Sequence, residues 1–280
     1  MSPDLFHGLN QRLPGTCFPH TVVTFHDLFV LTGDYSTAEF RRTFARRARE
    51  TAARAGRIIC VSRYTADCVR DLLGVEEERL RVVHHGNRFA GSSIAPVQRE
   101  PVVLHVGAIQ KRKNLAMLVR AFTRAAPAGW RLVLVGGDGF GAAEVRQRIA
   151  DSPARDRIET PGWLPDEQLV DWYRRAGVLA FPSLDEGFGI PVLEAMAHGL
   201  PVLASDRGAL PEVCGAAAWI VEASEEEAWV EALGTLCRDH ALRKEFGERG
   251  ITHASGFPWE KAVRSTWECY RELLGGRLSG

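Results

Sequence analysis

From residue 102 to residue 221, short apolar runs alternate with amphipathic segments, and no other feature narrows the available folds as much. The runs at 102–106, 131–135, 178–181, 202–204 and 218–221 are dominated by Val, Leu, Ile and Ala. Runs of this length, apolar at successive positions, read as strands covered on both faces of a sheet. A weaker run lies at 157–160. Between them, residues 114–123, 141–149 and 166–175 place apolar side chains at helical spacing. Strand and helix in alternation predict βα crossovers and a parallel, doubly wound sheet. Residues 241–254 and 259–274 read as further amphipathic helices.

The richest stretch is 181–199, FPSLDEGFGIPVLEAMAHG. It leaves the strand at 178–181, passes through a loop holding Gly187 and Gly189, and enters a helix at 191–197. Pro191 suits a helix start, where its missing N–H would have no partner anyway. The amides of such a start point outward, and a loop with little side chain lets a phosphate approach them. Two carboxylates flank the turn, Glu186 before it and Glu194 about one turn into the helix. A carboxylate is a poor partner for phosphate but accepts well from paired hydroxyls. The pattern fits a ligand carrying phosphate together with a ribose or sugar. The residues alone leave a second reading open, in which both carboxylates are solvated or cap local donors.

Upstream, residues 21–25, 57–61 and 80–83 read as strands, and 36–55 and 64–73 as helices. Thr37 or Ser36 caps the first of these helices, Ser62 caps the second, and Gly74 ends it. Residues 1–20 hold turn formers with little periodicity. His26 and Asp27 fall at a strand end, where open α/β sheets present ligand groups. A satisfied core histidine is the plainer alternative. Residues 41–57 are rich in arginine, read first as a solvated face with Phe40 and Phe44 packed on a sheet. The second reading is a patch against anionic lipid or a phosphate-linked acceptor. Residues 89–100 have the polar, proline-containing character of a linker. This divides the chain into 1–97, 98–257 and a closing helix and tail at 258–280.

With 35 basic and 35 acidic residues, the formal net charge of zero gives no case for nucleic-acid binding. Cysteines at 17, 60, 68, 214, 237 and 269 lack metal-ligand spacing, and a reduced cytoplasmic setting suits them. No 18-residue apolar run and no signal-peptide pattern is present, so any membrane contact is expected to be peripheral. A strand-linked GxGxxG is absent, which argues against a nicotinamide-dependent dehydrogenase.

The stretch from Pro182 through Glu186-Gly187-Phe188-Gly189, Pro191, Glu194-Ala195-Met196-Ala197 and Gly199 resembles the E-x7-E signature of retaining glycosyltransferases, specifically the nucleotide-sugar-dependent family 4. The match continues through Pro201-Val202, Ser205 and Leu210-Pro211-Glu212-Val213. Lys111-Arg112-Lys113-Asn114, after the strand ending in Gly107, resembles the family's basic loop. Pro161-Gly162-Trp163-Leu164-Pro165 resembles its base-contacting loop, and residues 23–28 its histidine-bearing strand.

The resemblance implies an α/β fold of the GT-B type, with two Rossmann-like domains and an incomplete N-terminal one. It implies transfer of a hexose, with its configuration retained and without a metal, to a saccharide or lipid-linked saccharide. Mannose from GDP-mannose is favoured by likeness to mannosyltransferase-like members, with UDP-sugars as the other option, and no cofactor is implied. By carry-over, Glu194 holds the ribose and Glu186 the transferred sugar. Gly187, Phe188, Gly189 and Ile190 meet the donor by backbone. Gly107 and Lys113 serve the diphosphate, Gly162, Trp163 and Leu164 the base, and His26 the donor sugar. Where some members carry arginine after the glycine, this chain has Ala108, and Arg112 is the substitute. Trp163 has an alternative place in the core.

The front domain is shorter than the family's usual one, which implies an exposed strand edge and favours a partner chain. It also sustains a competing function, that of a nucleotide-sugar-binding protein that is inactive or dependent on a partner.

Overall fold

The computed structural model describes residues 3–90 and 98–275. The chain forms two compact units. The first comprises Met1–Gly86 with Glu186–Phe188 and Phe257–Gly280; the second comprises Asn87–Asp185 and Gly189–Gly256. The expected linker at 89–100 falls largely outside the described residues.

The first unit opens with strands β1 (Leu5–Gly8) and β2 (His20–Phe25), followed by a short helix α1 (Phe29–Thr32) and the long α2 (Ala38–Arg54). Strand β3 (Arg57–Cys60), helix α3 (Arg63–Leu73) and strand β4 (Leu80–Val82) complete it. The four strands pair in parallel in the order β1-β2-β3-β4. Thr37 caps α2 through the amide of Phe40, Ser62 caps α3 through that of Thr65, and Gly74 ends α3 in the left-handed region. One face of the sheet packs on α2 and α3 around Val23, Phe25, Ile58, Val69 and Leu80.

Two expectations give way here. Residues 5–8 are a strand rather than turn, because pairing with β2 supplies the order that local pattern lacks. Phe40 is 54% exposed and leans on Phe44 instead of the sheet, since its position on α2 faces solvent.

The second unit begins with β5 (Val102–Val106), helix α4 (Leu115–Ala125), β6 (Arg131–Val135) and α5 (Ala142–Ala150). It continues through β7 (Ile158–Gly162), α6 (Asp166–Arg175), β8 (Val178–Phe181) and α7 (Ile190–Ala197). Strand β9 (Val202–Ser205), α8 (Leu210–Cys214), β10 (Trp219–Val221), α9 (Glu226–Arg238) and α10 (His240–Ala254) follow. All six strands are parallel, in the order β10-β9-β8-β5-β6-β7. Helices α4 and α9 cover one face, burying Leu118, Phe122, Trp229 and Leu233. Helix α9 was not anticipated, although Trp229, Leu233 and Leu236 lie at helical spacing after the acidic turn of Glu226 and Glu227.

The final helix, α11 (Trp259–Leu274), belongs to the first unit. It covers the other face of that sheet, where Ala262 and Cys269 pack on Val22, Ile59 and Val83. Its Glu272 receives bonds from Arg81 and Arg57, a tie between α11 and the strand ends.

Candidate functional site

In the second unit, β5 is flanked by β6 and β8, so the strand order reverses there. Crevices at such reversals, beyond the carboxyl ends of the strands, are where parallel sheets bind ligands. The loop after β5 carries Gly107 and the single turn Lys111–Lys113; the chain after β8 leads into α7. Lys113 is buried, with Nζ 4.5 Å from the centroid of the Phe181 ring. Burial of its stem on an aromatic face aims one cation rather than leaving it to wave in solvent. Gly107 has φ +148°, a backbone conformation that favours glycine, and a β-carbon there would lie 3.3 Å from Lys113 Cε. At Gly136, after β6, a side chain would collide with the Gly107 carbonyl, which brings these two loops backbone to backbone.

Arg112 takes a different position. Its Nη1 donates to the Asp185 carbonyl at 2.5 Å, while its own carbonyl accepts from the Leu184 amide at 2.8 Å. These bonds tie the loop after β5 to the loop after β8.

Glu194 projects from α7 and is only 7% exposed. The Tyr173 hydroxyl, from α6, donates to its Oε2 at 2.9 Å, and Arg88 Nε pairs with its Oε1 at 2.9 Å. Arg88 also reaches Asp166 at 2.5 Å. Burial raises the pKa of Glu194, and the bonds from Tyr173 and Arg88 oppose that rise without cancelling it. Two donors on opposite oxygens orient the carboxylate and leave lone pairs for further hydroxyls. Neither Arg88 nor Tyr173 was singled out from sequence. The only available signal was the YRR end of a helix, which carries no chemistry by itself.

Gly162, the last residue of β7, has φ +81°, and Trp163 beyond it is 77% exposed, which removes the core alternative for that indole. Leu164 is half-buried. Gly189 precedes α7 with φ +99°, and Ile190 is its first residue, 39% exposed.

The remaining expected residues lie in the first unit. His26 follows β2; its Nε2 donates to the Leu9 carbonyl at 2.7 Å, and its Nδ1 lies 3.2 Å from His85 Nε2. A carbonyl oxygen only accepts, so His26 Nε2 carries the proton of the Leu9 bond. The rings stack nearly parallel, with centroids 5.2 Å apart. Asp27 accepts at its carbonyl from Gln11. The Gly187 carbonyl accepts from Ser62 Oγ at 2.7 Å and Thr65 Oγ1 at 3.2 Å, and a side chain at Gly187 would collide with the His26 carbonyl. Phe188 is buried against the His85 edge, and Glu186 beside it is half-buried. A cavity of about 530 Å³ lies beside these groups, lined by His7, Thr24, His26, His85, Trp259 and Tyr270 among others.

Burial, reinforced by the proximity of His26, lowers both His7 and His85 to about 4. Both stay neutral in the fold at pH values where the unfolded chain, with ordinary histidines near 6.5, takes up protons. Their contribution to stability is present above pH 6.5 and is lost as the pH falls toward 4. Acidification from pH 7 to 4 is expected to cost the first unit about 2–4 kcal/mol, after discounting for the partial exposure of His7. Hydrogen-exchange protection of β2 and β3 reads this loss directly. A His85→Phe variant with an unchanged acid slope would refute the assignment.

Among the described residues, no three His, Cys, Asp or Glu side chains are grouped to hold a metal ion. No described helix is long and apolar enough to cross a membrane. Of the cysteines, Cys60, Cys214, Cys237 and Cys269 are buried, while Cys17 is exposed.

The family profile described as Glycosyl transferases group 1 matches residues 92–253, and that described as Glycosyltransferase Family 4 matches residues 2–87. The D-inositol 3-phosphate glycosyltransferase of Nocardia farcinica (strain IFM 10152) is 29% identical over 94% of this chain and 62% of its own length. The O-antigen chain mannosyltransferase B of Escherichia coli is 27% identical over 96% of this chain and 74% of its own. The chain therefore spans well under the full length of these relatives.

Among solved structures, a sucrose-phosphate synthase from Thermosynechococcus elongatus superposes with a TM-score of 0.78 at 24% identity, covering 93% of this chain and 69% of that one. Anabaena Alr3699/HepE, solved in complex with UDP-glucose, gives 0.76 at 22% identity, covering 91% and 72%. At these identities the likeness speaks to the fold, which is α/β of the GT-B type.

Proposed function

We propose that this chain, which belongs to the glycosyl transferases group 1 family, transfers a hexose from a nucleotide-diphosphate sugar to a hydroxyl of a saccharide or lipid-linked saccharide. The configuration at the transferred carbon is retained and no metal takes part. The observation that carries this reading is Glu194, a buried carboxylate oriented by Tyr173 and Arg88 at the switch point of a parallel sheet. Such a group suits a vicinal diol, and the nucleotide ribose supplies one.

In this reading Lys113 takes the charge that develops on the diphosphate as the glycosidic bond breaks. Gly107 leaves room for it, and Arg112 holds the loop that presents it. The loop Gly162-Trp163-Leu164 takes the base, with Trp163 as an exposed aromatic platform. Glu186 binds the transferred sugar, Gly187, Phe188, Gly189 and Ile190 supply backbone contacts, and His26 polarises the sugar. The leaving phosphate accepts the proton of the incoming hydroxyl, so no protein base is needed. GDP-mannose is the favoured donor, since one relative is named a mannosyltransferase; a UDP-sugar is the alternative, since one structural neighbour holds UDP-glucose. The domains are 1–97, 98–257 and 258–280, and the setting is cytoplasmic; the arginines of α2 form a solvated face first, with peripheral contact at the membrane as the second reading.

Calorimetry with GDP, UDP, ADP and dTDP tests the reading. One nucleotide is expected to bind selectively, and the matching nucleotide sugar to be turned over. No binding by the folded protein would overturn it.

A second reading, nucleotide-sugar binding with turnover dependent on a partner chain, is favoured by β1. That strand forms one edge of the four-stranded sheet among the described residues. Donor binding without turnover, followed by turnover when a partner is added, would select it.

A further inference from the structure

Arg99 lies just before β5, outside every motif in the sequence. Its Nη1 lies 3.1, 3.0 and 2.9 Å from the carbonyl oxygens of Tyr173, Arg174 and Ala176, at the end of α6. Its Nη2 donates to the His198 carbonyl, at the end of α7, at 2.6 Å. One guanidinium thus takes four main-chain acceptors from two helix ends, where carbonyls lack partners and the helix dipole favours a cation. Its planar fork suits this; a lysine ammonium, a single point charge, does not reproduce it.

Those two helices carry the pair that defines the site. Tyr173 stands on α6 and Glu194 on α7, their side chains 2.9 Å apart. The His198 ring stacks on Tyr173 with centroids 5.7 Å apart, and its Nδ1 donates to the Glu194 carbonyl at 2.8 Å. A slide of one helix end past the other would break the Tyr173–Glu194 bond first, because a hydrogen bond weakens steeply with misalignment.

We infer that Arg99 is a positioning residue for the donor site: by clamping the carboxyl ends of α6 and α7 it holds the Glu194 carboxylate in register with Tyr173 and aims it at the ribose. The inference rests on the donor-site reading above for its ribose part only. The alignment of Glu194 is a property of the protein without ligand.

The test uses Arg99→Ala and Arg99→Lys in the full chain, with two readouts. The first is ligand-free: the titration of the Glu194 carboxyl, followed by carbon-13 NMR of labelled glutamate and assigned with Glu194→Gln. Loss of register removes the Tyr173 bond that favours the carboxylate, so the midpoint is expected to rise by about one pH unit in Arg99→Ala and by less in Arg99→Lys. The second compares GDP and UDP with their 2′,3′-dideoxy counterparts. The parent is expected to prefer the ribo form by about thirtyfold, and Arg99→Ala by about threefold, with the phosphate-derived affinity retained.

An unchanged midpoint in a folded variant overturns the clamp. If Arg99→Ala does not fold, Arg99→Lys decides by the same midpoint. A shifted midpoint with no ribo preference in the parent keeps the clamp and removes the donor-site reading instead.

Discussion

Replacing Glu194 with Gln is expected to weaken binding of the cognate nucleoside diphosphate by about thirty- to a hundredfold, with no loss of stability. The affinity loss follows from exchanging a charged acceptor of two hydroxyls for a neutral amide, a difference of about 2–3 kcal/mol. The stability follows from the sign of the pKa shift. Burial raises Glu194 despite Tyr173 and Arg88, so the ionised form is less favourable in the fold than in the unfolded chain. Between the ordinary carboxyl value and the raised one, the native state binds more protons than the unfolded state. Holding the carboxylate charged at neutral pH therefore costs stability, and the cost disappears as the pH falls below the unfolded value.

Gln avoids that cost, so the variant melts at or above the parent temperature at pH 7 and the gap closes in acid. Calorimetric titration and thermal melts at pH 7 and 4 check both halves. A variant that binds like the parent would remove Glu194 from the site. A variant much less stable at pH 7 would mean that the ion pair with Arg88 outweighs desolvation. The exchange of stability for a charged, buried acceptor is the usual signature of a functional site.

Lys113→Met is expected to lower kcat by about 10²–10³-fold while KM for the nucleotide sugar moves much less. Charge on the leaving diphosphate grows as the glycosidic bond lengthens, so a cation fixed beside it stabilises the transition state more than the bound substrate. Methionine preserves apolar contact with Phe181 and removes only the ammonium, which separates the electrostatic role from packing. Lys113→Arg is expected to recover part of the rate. The burial that aims the ammonium also makes the site intolerant of a longer, planar group. Steady-state kinetics of the three proteins with the matched donor provide the check. Equal losses for Met and Arg would point to shape rather than charge, and a KM effect alone would assign Lys113 to ground-state binding.

Much of this architecture was readable in advance, for a local reason. Apolar runs such as VVLHV and VLAF carry their burial on every residue, and LAMLVRAF declares its inner face by spacing. Caps at Thr37 and Ser62 and the stop at Gly74 depend on neighbours three or four residues away. The strand Leu5–Gly8 was not readable, since its order comes from pairing with His20–Phe25. The exposure of Phe40 also escaped, and that of Trp163 stayed between two readings, because an aromatic side chain fits a core pattern and a surface equally well.

What the sequence determined by itself, then, is the alternation of strand and helix, the two carboxylates spaced along one loop and helix, and the family that this spacing marks. Tertiary structure decided who meets them. Glu194 finds Tyr173 and Arg88; Gly187 is gripped by Ser62 and Thr65; Arg99 joins two helix ends; and Arg112 becomes a tie between loops. Each of these contacts spans a long stretch of chain. No local periodicity encodes such a meeting: it depends on the order in which parallel strands assemble and on which buried polar groups must then find partners.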